Sequence, residues 1–261
     1  MVYVTLIYEV EHSIATITLN RPQVLHALNT KVFDELESVF TDIDQNPSIR
    51  VALLTGSGDK AFAAGADIKE LAATDAITGA AKARRGQAVF SQIESCSKPV
   101  IALVNGFALG GGCELAMACT LRLAGERARL GQPEIKLGLI PGYGGTQRLP
   151  RLVGSSQALR LLLTGEIVGA DEALRIGLVD ELIPGEGREP LQQRGLALAQ
   201  AIAGMPPLAV SGCLEAVRRG THPQEGLEHE AQIFGRLCAT KDKAEGTAAF
   251  LEKRTPTWTG R

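Results

Sequence analysis

The stretch Pro99-Val-Ile-Ala-Leu-Val-Asn-Gly-Phe-Ala-Leu-Gly-Gly-Gly-Cys-Glu114 leads from an apolar segment through three consecutive glycines to a carboxylate. Its first part, Pro99–Val104, predicts a buried strand, and the residues after Gly112 predict a helix. A helix begins with unpaired backbone N–H groups and a positive dipole end, and glycine lets a ligand approach that backbone closely. This turn can therefore supply an oxyanion donor and, from Glu114, an acid or a base. A glycine-rich turn whose glutamate only stabilises the helix dipole explains the stretch equally well.

Strand, strand and helix recur on both sides of this stretch. Two strands, Val4–Val10 and Ile14–Leu19, precede a helix over Thr30–Asp44 whose apolar residues have helical spacing. Further strands are predicted at Arg50–Thr55, Thr120–Ala124, Ala128–Gly131 and Leu178–Ile183, a short apolar element at Ala61–Asp67, and helices at Gly79–Ser95, Gly145–Val153, Ser155–Thr164 and Ala170–Ile176. Later segments are all helical: Leu191–Ala203, Pro207–Arg219, Pro223–Ala239 and Asp242–Lys253. The sequence therefore predicts an α/β fold, with β-β-α units over 1–190 and an all-helical region over 191–261.

The composition narrows the classes of partner. The chain has 261 residues, of which 45% are hydrophobic and 4% aromatic, and its formal net charge is −2. Its basic clusters, such as Lys82-Ala-Arg-Arg85, are shorter than the basic blocks of nucleic-acid patches. No apolar run approaches the length of a transmembrane helix. We expect neither a nucleic-acid nor a membrane partner.

The cysteines and histidines indicate a reducing compartment and no metal site. The five cysteines are widely spaced and form no Cys-x-x-Cys pair, which is typical of free thiols. The histidines show no metal-ligand spacing, although His222 and His229 can share one face of a helix. From the strand predicted near its first residues, we also expect no leader. We therefore expect a cytoplasmic protein, or a mitochondrial-matrix protein if a presequence has been removed.

Two other segments complement the glycine run. In Ala64-Gly-Ala-Asp67, an apolar element again passes through glycine into a helical turn, and Ala66 can offer a second N–H donor. An oxyanion hole needs two such donors. Gln132-Pro-Glu134 provides a second carboxylate, although a surface glutamate at a helix start explains it better when it is taken alone. Together, two carboxylates and two N–H donors are typical of enolate chemistry next to a carbonyl.

Other chemistries have less support. There is no Gly-x-Ser-x-Gly elbow, and no histidine lies near a candidate nucleophile. Gly142-Tyr-Gly-Gly145 is not a dinucleotide fingerprint, and Gly56-Ser-Gly-Asp-Lys60 is not a P-loop, since Ala61 follows the lysine.

These residues give the chain a resemblance to the enoyl-CoA hydratase/isomerase (crotonase) family along nearly its whole length. The matching blocks are Leu19–Pro22, Ala61–Glu70, Lys98–Ala102, Asn105–Gly106, Ala108–Glu114, Gly131–Glu134, Leu139–Gly142, Gly144–Leu149 and Glu252–Arg254. The resemblance implies a superhelix of β-β-α units and a homo-oligomer, either a trimer or a dimer of trimers. It implies no cofactor, since CoA is part of the acyl-CoA substrate.

The resemblance also implies roles for individual residues. Ala66 and Gly111 match the oxyanion donors, and Glu114 and Glu134 match the two glutamates of the hydratases. Positions implied in substrate binding are Ala64, Asp67, Ile68, Lys69 and Gly142, together with Phe234 and Lys253, which reach toward CoA and can come from a neighbouring subunit.

The retained glutamate pair favours an enoyl-CoA hydratase, because many isomerases of the family keep only the glutamate at position 134. The alternatives are an isomerase, a hydratase for branched substrates such as methylglutaconyl-CoA, and a non-catalytic member that binds RNA. Two positions depart from the family pattern: His26 stands where asparagine is frequent, and Tyr143 stands where small residues are usual. Tyr143 either alters the shape of the acyl pocket or has only a packing role.

Overall fold

The computed structural model describes residues 3–72, 74–219 and 223–261, without the side chains of Lys69, Pro223 and Gln224. Its strands are β1 Leu6–Glu11, β2 Ile14–Leu19, β3 Val51–Gly56, β4 Ala61–Ala63, β5 Val100–Val104, β6 Phe107–Leu109, β7 Leu121–Gly125, β8 Arg129–Gly131, β9 Ile167–Gly169 and β10 Glu181–Ile183. Its helices are α1 Thr30–Gln45, α2 Ile68–Ala72, α3 Ala76–Ser95, α4 Gly111–Ala118, α5 Gly145–Val153, α6 Ser155–Thr164, α7 Ala170–Arg175, α8 Glu189–Ala203, α9 Pro207–Arg219, α10 Pro223–Cys238 and α11 Lys241–Glu252. Short 3-10 turns occupy Pro22–Val24 and Pro133–Leu137.

Two sheets run through the first part of the chain. The larger has the order β1-β2-β3-β5-β7-β10, and the smaller has the order β4-β6-β8-β9. Apart from the β1–β2 and β8–β9 pairs, which are antiparallel, neighbouring strands are parallel. Strands that follow one another in the chain are divided between the two sheets. In each of the pairs β3–β4, β5–β6 and β7–β8, the first strand belongs to the larger sheet and the second to the smaller, and helices follow these pairs. The predicted α/β class with β-β-α units and C-terminal helices is confirmed.

The central strands of the larger sheet are buried on both faces. Every residue of β3 and β5 is buried, as expected for parallel strands that other elements cover on both sides. On the outer face, Val51, Leu53 and Ile101 pack with Leu191 and Ala199 of α8.

Helix α8 therefore belongs to the packed core, although it follows the predicted division of the chain at residue 190. That division into two regions stays a prediction. Within the described residues no single helix is long and apolar enough to cross a membrane. Helices α8 and α9 pass that test only as a pair bent by 106°.

Where the structure departs from the sequence-based boundaries, tertiary contacts explain the difference. Strand β1 begins at Leu6 rather than Val4, because the backbone N–H groups of Val4 and Thr5 donate to the Glu35 carboxylate at 2.9 and 2.8 Å. Strand β10 begins at Glu181 rather than Leu178, whose N–H donates to Ala173 instead. Strands β6 and β9 were not predicted, and with three residues each they show no period of their own.

Gly112 fixes the position of α4 against β4. A Cβ atom at this residue would lie 1.8 Å from the carbonyl oxygen of Ala63, so only glycine allows this approach. We expect Gly112→Ala to destabilise the fold by about 3 kcal/mol, because the backbone itself must move. Chemical denaturation measures the free energy of unfolding.

The matched control for this prediction is Gly79→Ala in α3. A Cβ atom at Gly79 would meet nothing closer than 3.9 Å. Alanine in a helix interior should then raise the stability by up to about 1 kcal/mol. Equal stability of the Gly112→Ala variant and the parent would contradict the packing argument.

Candidate active site

A cavity of about 710 Å³ lies between the starts of α2, α3 and α4 and the loop before α5. It is lined by residues from all of these elements, among them Ala66, Gly111, Glu114, Glu134 and Tyr143. Four of these five are the predicted catalytic and oxyanion residues. The fold therefore brings together residues that are far apart in the sequence.

Glu114 lies in the first turn of α4, and only 1% of its surface is exposed. Its Oε1 accepts hydrogen bonds from the backbone N–H groups of Tyr143, at 2.8 Å, and Gly145, at 2.7 Å. Gly145 is the first residue of α5, so the carboxylate sits at a helix N-terminus. Burial raises the pKa of Glu114 to about 7, and the charge of Glu134 adds to the rise, while the hydrogen bond from Gly145 opposes it.

Glu134 lies in the 3-10 turn that Pro133 begins, and burial raises its pKa to about 7. Its carboxylate rests against Gly110, where a Cβ atom would lie 2.5 Å from Oε1. With its amide nitrogen turned toward this carboxylate, Gln132 donates to both oxygens at 3.2 and 3.1 Å. Two carboxyl groups with raised pKa values in one cavity are suited to share a proton.

The glycines before Glu114 have different tasks. Gly110 has φ of 50°, a conformation that glycine adopts most readily, and it also leaves room for Glu134. Gly110 and Gly112 therefore serve backbone shape and close packing. Gly111 begins α4, and its N–H makes no backbone hydrogen bond within the described residues. This N–H is therefore available to a ligand.

Ala66 lines the same cavity. The chain around it is held by two hydrogen bonds, from Leu28 N–H to Gly65 at 2.8 Å and from Asp67 N–H to Leu28 at 2.9 Å. These bonds form a parallel bridge between Leu28 and Ala66 that leaves the Ala66 N–H unused among the described residues. Ala66 and Gly111 can therefore act together as an oxyanion hole.

His26 supports the loop that carries Leu28. Leu25 and His26 both have positive φ, at 50° and 58°. The His26 side chain, 2% exposed, accepts from Arg21 N–H through Nδ1 and lies 2.9 Å from the carbonyl of Ser57 through Nε2. Burial lowers the pKa of His26, in keeping with a neutral ring that accepts one bond and donates the other. At this departure from the family pattern, the side chain therefore has a structural task beside the oxyanion segment.

Of the remaining predicted binding residues, two line the cavity and two lie beside it. Asp67 and Gly142 line the cavity, and Asp67 pairs with Arg21 at 3.2 Å. Ala64 and Ile68 flank Ala66 and Asp67 without lining the cavity, and Ile68 is exposed. The side chain of Lys69 lies outside the described part of the chain.

Phe234 and Lys253 lie elsewhere on the molecule. Phe234 is 69% exposed on α10 and borders a separate groove among the C-terminal helices. Lys253 is exposed at the end of α11. Neither lines the cavity of its own chain. Their predicted roles toward CoA stay predictions.

Sequence reasoning missed the groups that orient the glutamates. The N–H groups of Tyr143 and Gly145 hold Glu114, and Gln132 faces Glu134. Arg148, 7% exposed, donates to the carbonyl of Tyr143 at 2.8 Å and to Glu94 at 2.9 Å, which fixes this loop. A signal was present in Gly142-Tyr-Gly-Gly145, since glycines before a helix start can present N–H groups to an anion.

The chemistry available in the cavity is proton transfer beside a stabilised oxyanion. Two carboxyl groups with raised pKa values can exchange protons near neutral pH. The N–H groups of Ala66 and Gly111 can bind an oxygen that becomes negative. Among the described residues, which leave out His222, no group of three or more His, Cys, Asp or Glu side chains could hold a metal ion.

Known proteins resemble this chain over its full length. The family model described as enoyl-CoA hydratase/isomerase matches residues 9–261. A crotonyl-CoA hydratase of Syntrophomonas wolfei is 44% identical over 256 residues, covering 97% of each chain. A short-chain-enoyl-CoA hydratase of Clostridium acetobutylicum is 43% identical over 251 residues, covering 95% of each chain.

Comparison with solved structures also finds enoyl-CoA hydratases. The crystal structure of an enoyl-CoA hydratase from Bacillus anthracis superposes with a TM-score of 0.95 at 38% sequence identity, and the match covers 99% of this chain and 100% of that one. With the family model spanning almost the whole chain, and with full-length relatives well above 30% identity, this protein belongs to the enoyl-CoA hydratase/isomerase family.

Proposed function

We propose that this protein is an enoyl-CoA hydratase that adds water reversibly to the 2,3-double bond of a trans-2-enoyl-CoA. The observation that carries the proposal is that the buried Glu114 and the half-buried Glu134 line one cavity, beside the N–H groups of Ala66 and Gly111, which have no backbone partner among the described residues. The relatives named as crotonyl-CoA and short-chain-enoyl-CoA hydratases support it.

In this mechanism the thioester oxygen binds to the N–H groups of Ala66 and Gly111. Glu114 is the carboxylate base, because its Oε1 accepts two backbone N–H bonds and is therefore held as an acceptor. It orients a water molecule and takes its proton while the water oxygen bonds to C3. The π electrons move through C2 to the thioester oxygen and form an enolate that the two N–H groups stabilise.

Glu134 completes the addition as the acid. Its proton passes to C2 as the enolate collapses, so that one water molecule has been added across the double bond. Glu114 is then protonated and Glu134 ionised, and proton exchange between the pair or with solvent restores the starting state. The similar raised pKa values of the two carboxyl groups suit this exchange. The product is a 3-hydroxyacyl-CoA.

The pH profile of hydration tests the proposed protonation states of Glu114 and Glu134. Below about pH 7 protonation of Glu114 removes the base, and above about pH 7 ionisation of Glu134 removes the acid, so we expect a bell-shaped kcat/KM with a maximum near pH 7. The measurement follows the loss of enoyl-thioester absorbance with crotonyl-CoA and a panel of longer and branched enoyl-CoA thioesters.

Three results would contradict parts of this proposal. Failure to hydrate every thioester of the panel would overturn the hydratase proposal. Conversion of a 3-enoyl-CoA to the 2-enoyl isomer without hydration would replace it with the isomerase reading. Loss of activity on only one side of neutral pH would contradict the shared role of the two glutamates.

The proposal extends to the assembly and the location. We infer a homo-oligomer, a trimer or a dimer of trimers, in which Phe234 and Lys253 approach the CoA of a neighbouring subunit; their exposure away from the cavity of their own chain supports this. The proposed mechanism uses only groups of the protein and water, so it needs no metal or redox cofactor. CoA is part of the substrate. We propose a location in the cytoplasm, or in the matrix if a presequence has been removed. The relatives include the hydratase of the bacterium Syntrophomonas wolfei and a probable mitochondrial enoyl-CoA hydratase of Dictyostelium discoideum, which supports both locations.

A further inference from the structure

The ring of Tyr143 is clamped in one orientation at the wall of the cavity. It packs edge-on against Phe33 and Phe90, with centroid distances of 5.1 and 5.7 Å. Both phenylalanines are buried. A Cβ atom at Gly86 in α3 would lie 2.2 Å from Cδ1 of this ring, so the ring occupies the space that any side chain at residue 86 would need.

The same ring reaches the proposed oxyanion hole. A Cβ atom at Gly111 would lie 3.0 Å from its Cε2. The ring therefore spans the distance between the backbone of α3 at Gly86 and the start of α4 at Gly111. Among the described residues the Tyr143 hydroxyl has no hydrogen-bond partner, so its side chain is held by the packing of the ring, while its backbone bonds to Glu114 and Arg148.

Helix α3 and the loop before α5 meet on the same side. Gln87 donates from Nε2 to the carbonyl of Gly142 at 2.9 Å, and a Cβ atom at Gly142 would meet the Cβ of Ala83 at 3.8 Å. Ala83, Gly86 and Gln87 of α3 thus form a seam with Gly142 and Tyr143. Ala83, Gln87, Gly142 and Tyr143 line the cavity, so the seam forms part of its wall.

The proposed chemistry fixes which part of the substrate faces the seam. With the thioester oxygen at Gly111 and C3 at Glu114, the acyl carbons from C4 onward must continue past Glu114. Glu114 is bonded to the backbone N–H of Tyr143, so the next wall those carbons meet belongs to Tyr143.

We propose that the Tyr143 ring, resting on Gly86, closes the acyl end of the cavity and limits the enzyme to short acyl chains. This inference rests on the proposed function, from which the direction of the acyl chain follows. Tyr143 is then a specificity-determining residue that contacts the substrate, while its backbone N–H separately positions Glu114.

Substitution of the ring tests the inference. Tyr143→Ala keeps the backbone N–H to Glu114 and opens the space above Gly86. Each additional methylene that becomes buried corresponds to about a fourfold gain in binding. We expect the ratio of kcat/KM for trans-2-decenoyl-CoA to that for crotonyl-CoA to rise at least about tenfold. Tyr143→Phe keeps the ring and should keep the parent ratio.

A double variant distinguishes the loss of a wall formed by the Tyr143 ring from a general loosening of the site. Gly86→Leu combined with Tyr143→Ala refills the vacated space from α3, and it should return the ratio toward that of the parent. A ratio that stays high in the double variant, or one that never changes in Tyr143→Ala, would overturn the inference.

A binding measurement keeps this test independent of the hydration reaction. Calorimetric titration of the full chain with the saturated thioesters butyryl-CoA and decanoyl-CoA needs no catalysis. The parent should prefer butyryl-CoA, and Tyr143→Ala should shift the preference toward decanoyl-CoA by at least about tenfold. An unchanged preference would overturn the acyl-wall role even if hydration is confirmed. A shifted preference without hydration in any variant would support the wall and overturn the hydratase.

Discussion

Replacement of Glu114 by glutamine should lower kcat for crotonyl-CoA hydration by about 10³ to 10⁴, with little change in the affinity for butyryl-CoA. General acid–base catalysis by a positioned group is worth up to about 10⁴ in rate. The glutamine oxygen can still accept the N–H bonds that Tyr143 and Gly145 donate to Oε1, so the loop before α5 should keep its place. The amide cannot take a proton from water, so only the chemical step is lost. Steady-state kinetics together with calorimetric binding of butyryl-CoA measures both quantities.

The matched control is Glu126→Gln, which changes an exposed carboxylate in the turn between β7 and β8. It should hydrate crotonyl-CoA at the rate of the parent. A Glu114→Gln enzyme that hydrates as fast as this control would remove Glu114 from the mechanism. A lower melting temperature in Glu114→Gln alone would instead point to a structural role of its two hydrogen bonds.

Replacement of Glu134 by glutamine should lower kcat for hydration by about 10² to 10⁴, because C2 then has no acid to protonate it. A second readout distinguishes the two glutamates. In deuterated water the parent should exchange the C2 protons of butyryl-CoA, which has no double bond and needs no attack at C3. Glu134→Gln should lose this exchange, and Glu114→Gln should retain it. Nuclear magnetic resonance of the thioester follows the exchange directly.

The opposite exchange pattern would reverse the two roles. If Glu114→Gln lost the exchange while Glu134→Gln retained it, Glu114 would be the group that serves C2. Retention of both exchange and hydration in Glu134→Gln would remove Glu134 from the chemistry altogether. The Glu126→Gln variant again serves as the control.

Much of the fold follows from local pattern. Helix α1 has apolar residues at helical spacing and an N-cap in Asn29, whose side chain accepts from Val32 N–H at 3.0 Å. The boundaries of β2, α5, α6 and α9 agree with the sequence-based ranges. By contrast, β6 and β9 exist only because neighbouring strands of the smaller sheet pair with them. The three residues of each of these two strands show no period of their own, so the sequence alone did not reveal them.

The candidate site shows the same division. The sequence contains both glutamates and the glycine turns, since these depend on residue type and on the local switch from strand to helix. It does not show how Glu114 is held, because the N–H groups of Tyr143 and Gly145 come from a helix start about thirty residues away in the chain. Nor does it show whether Tyr143 packs in the core or faces a substrate, since that depends on Gly86 of α3.

By itself, then, the sequence determined the family, the class of fold and the types of group available for chemistry, because these depend on residue identity and on short-range spacing. Only the tertiary structure decided that Glu114 and Glu134 face one cavity beside two N–H groups with no backbone partner in the described part of the chain, and that burial raises both pKa values. The physical reason is that burial, hydrogen-bond direction and cavity shape depend on which distant backbones pack together. Local sequence cannot specify those partners without the contacts that the fold creates.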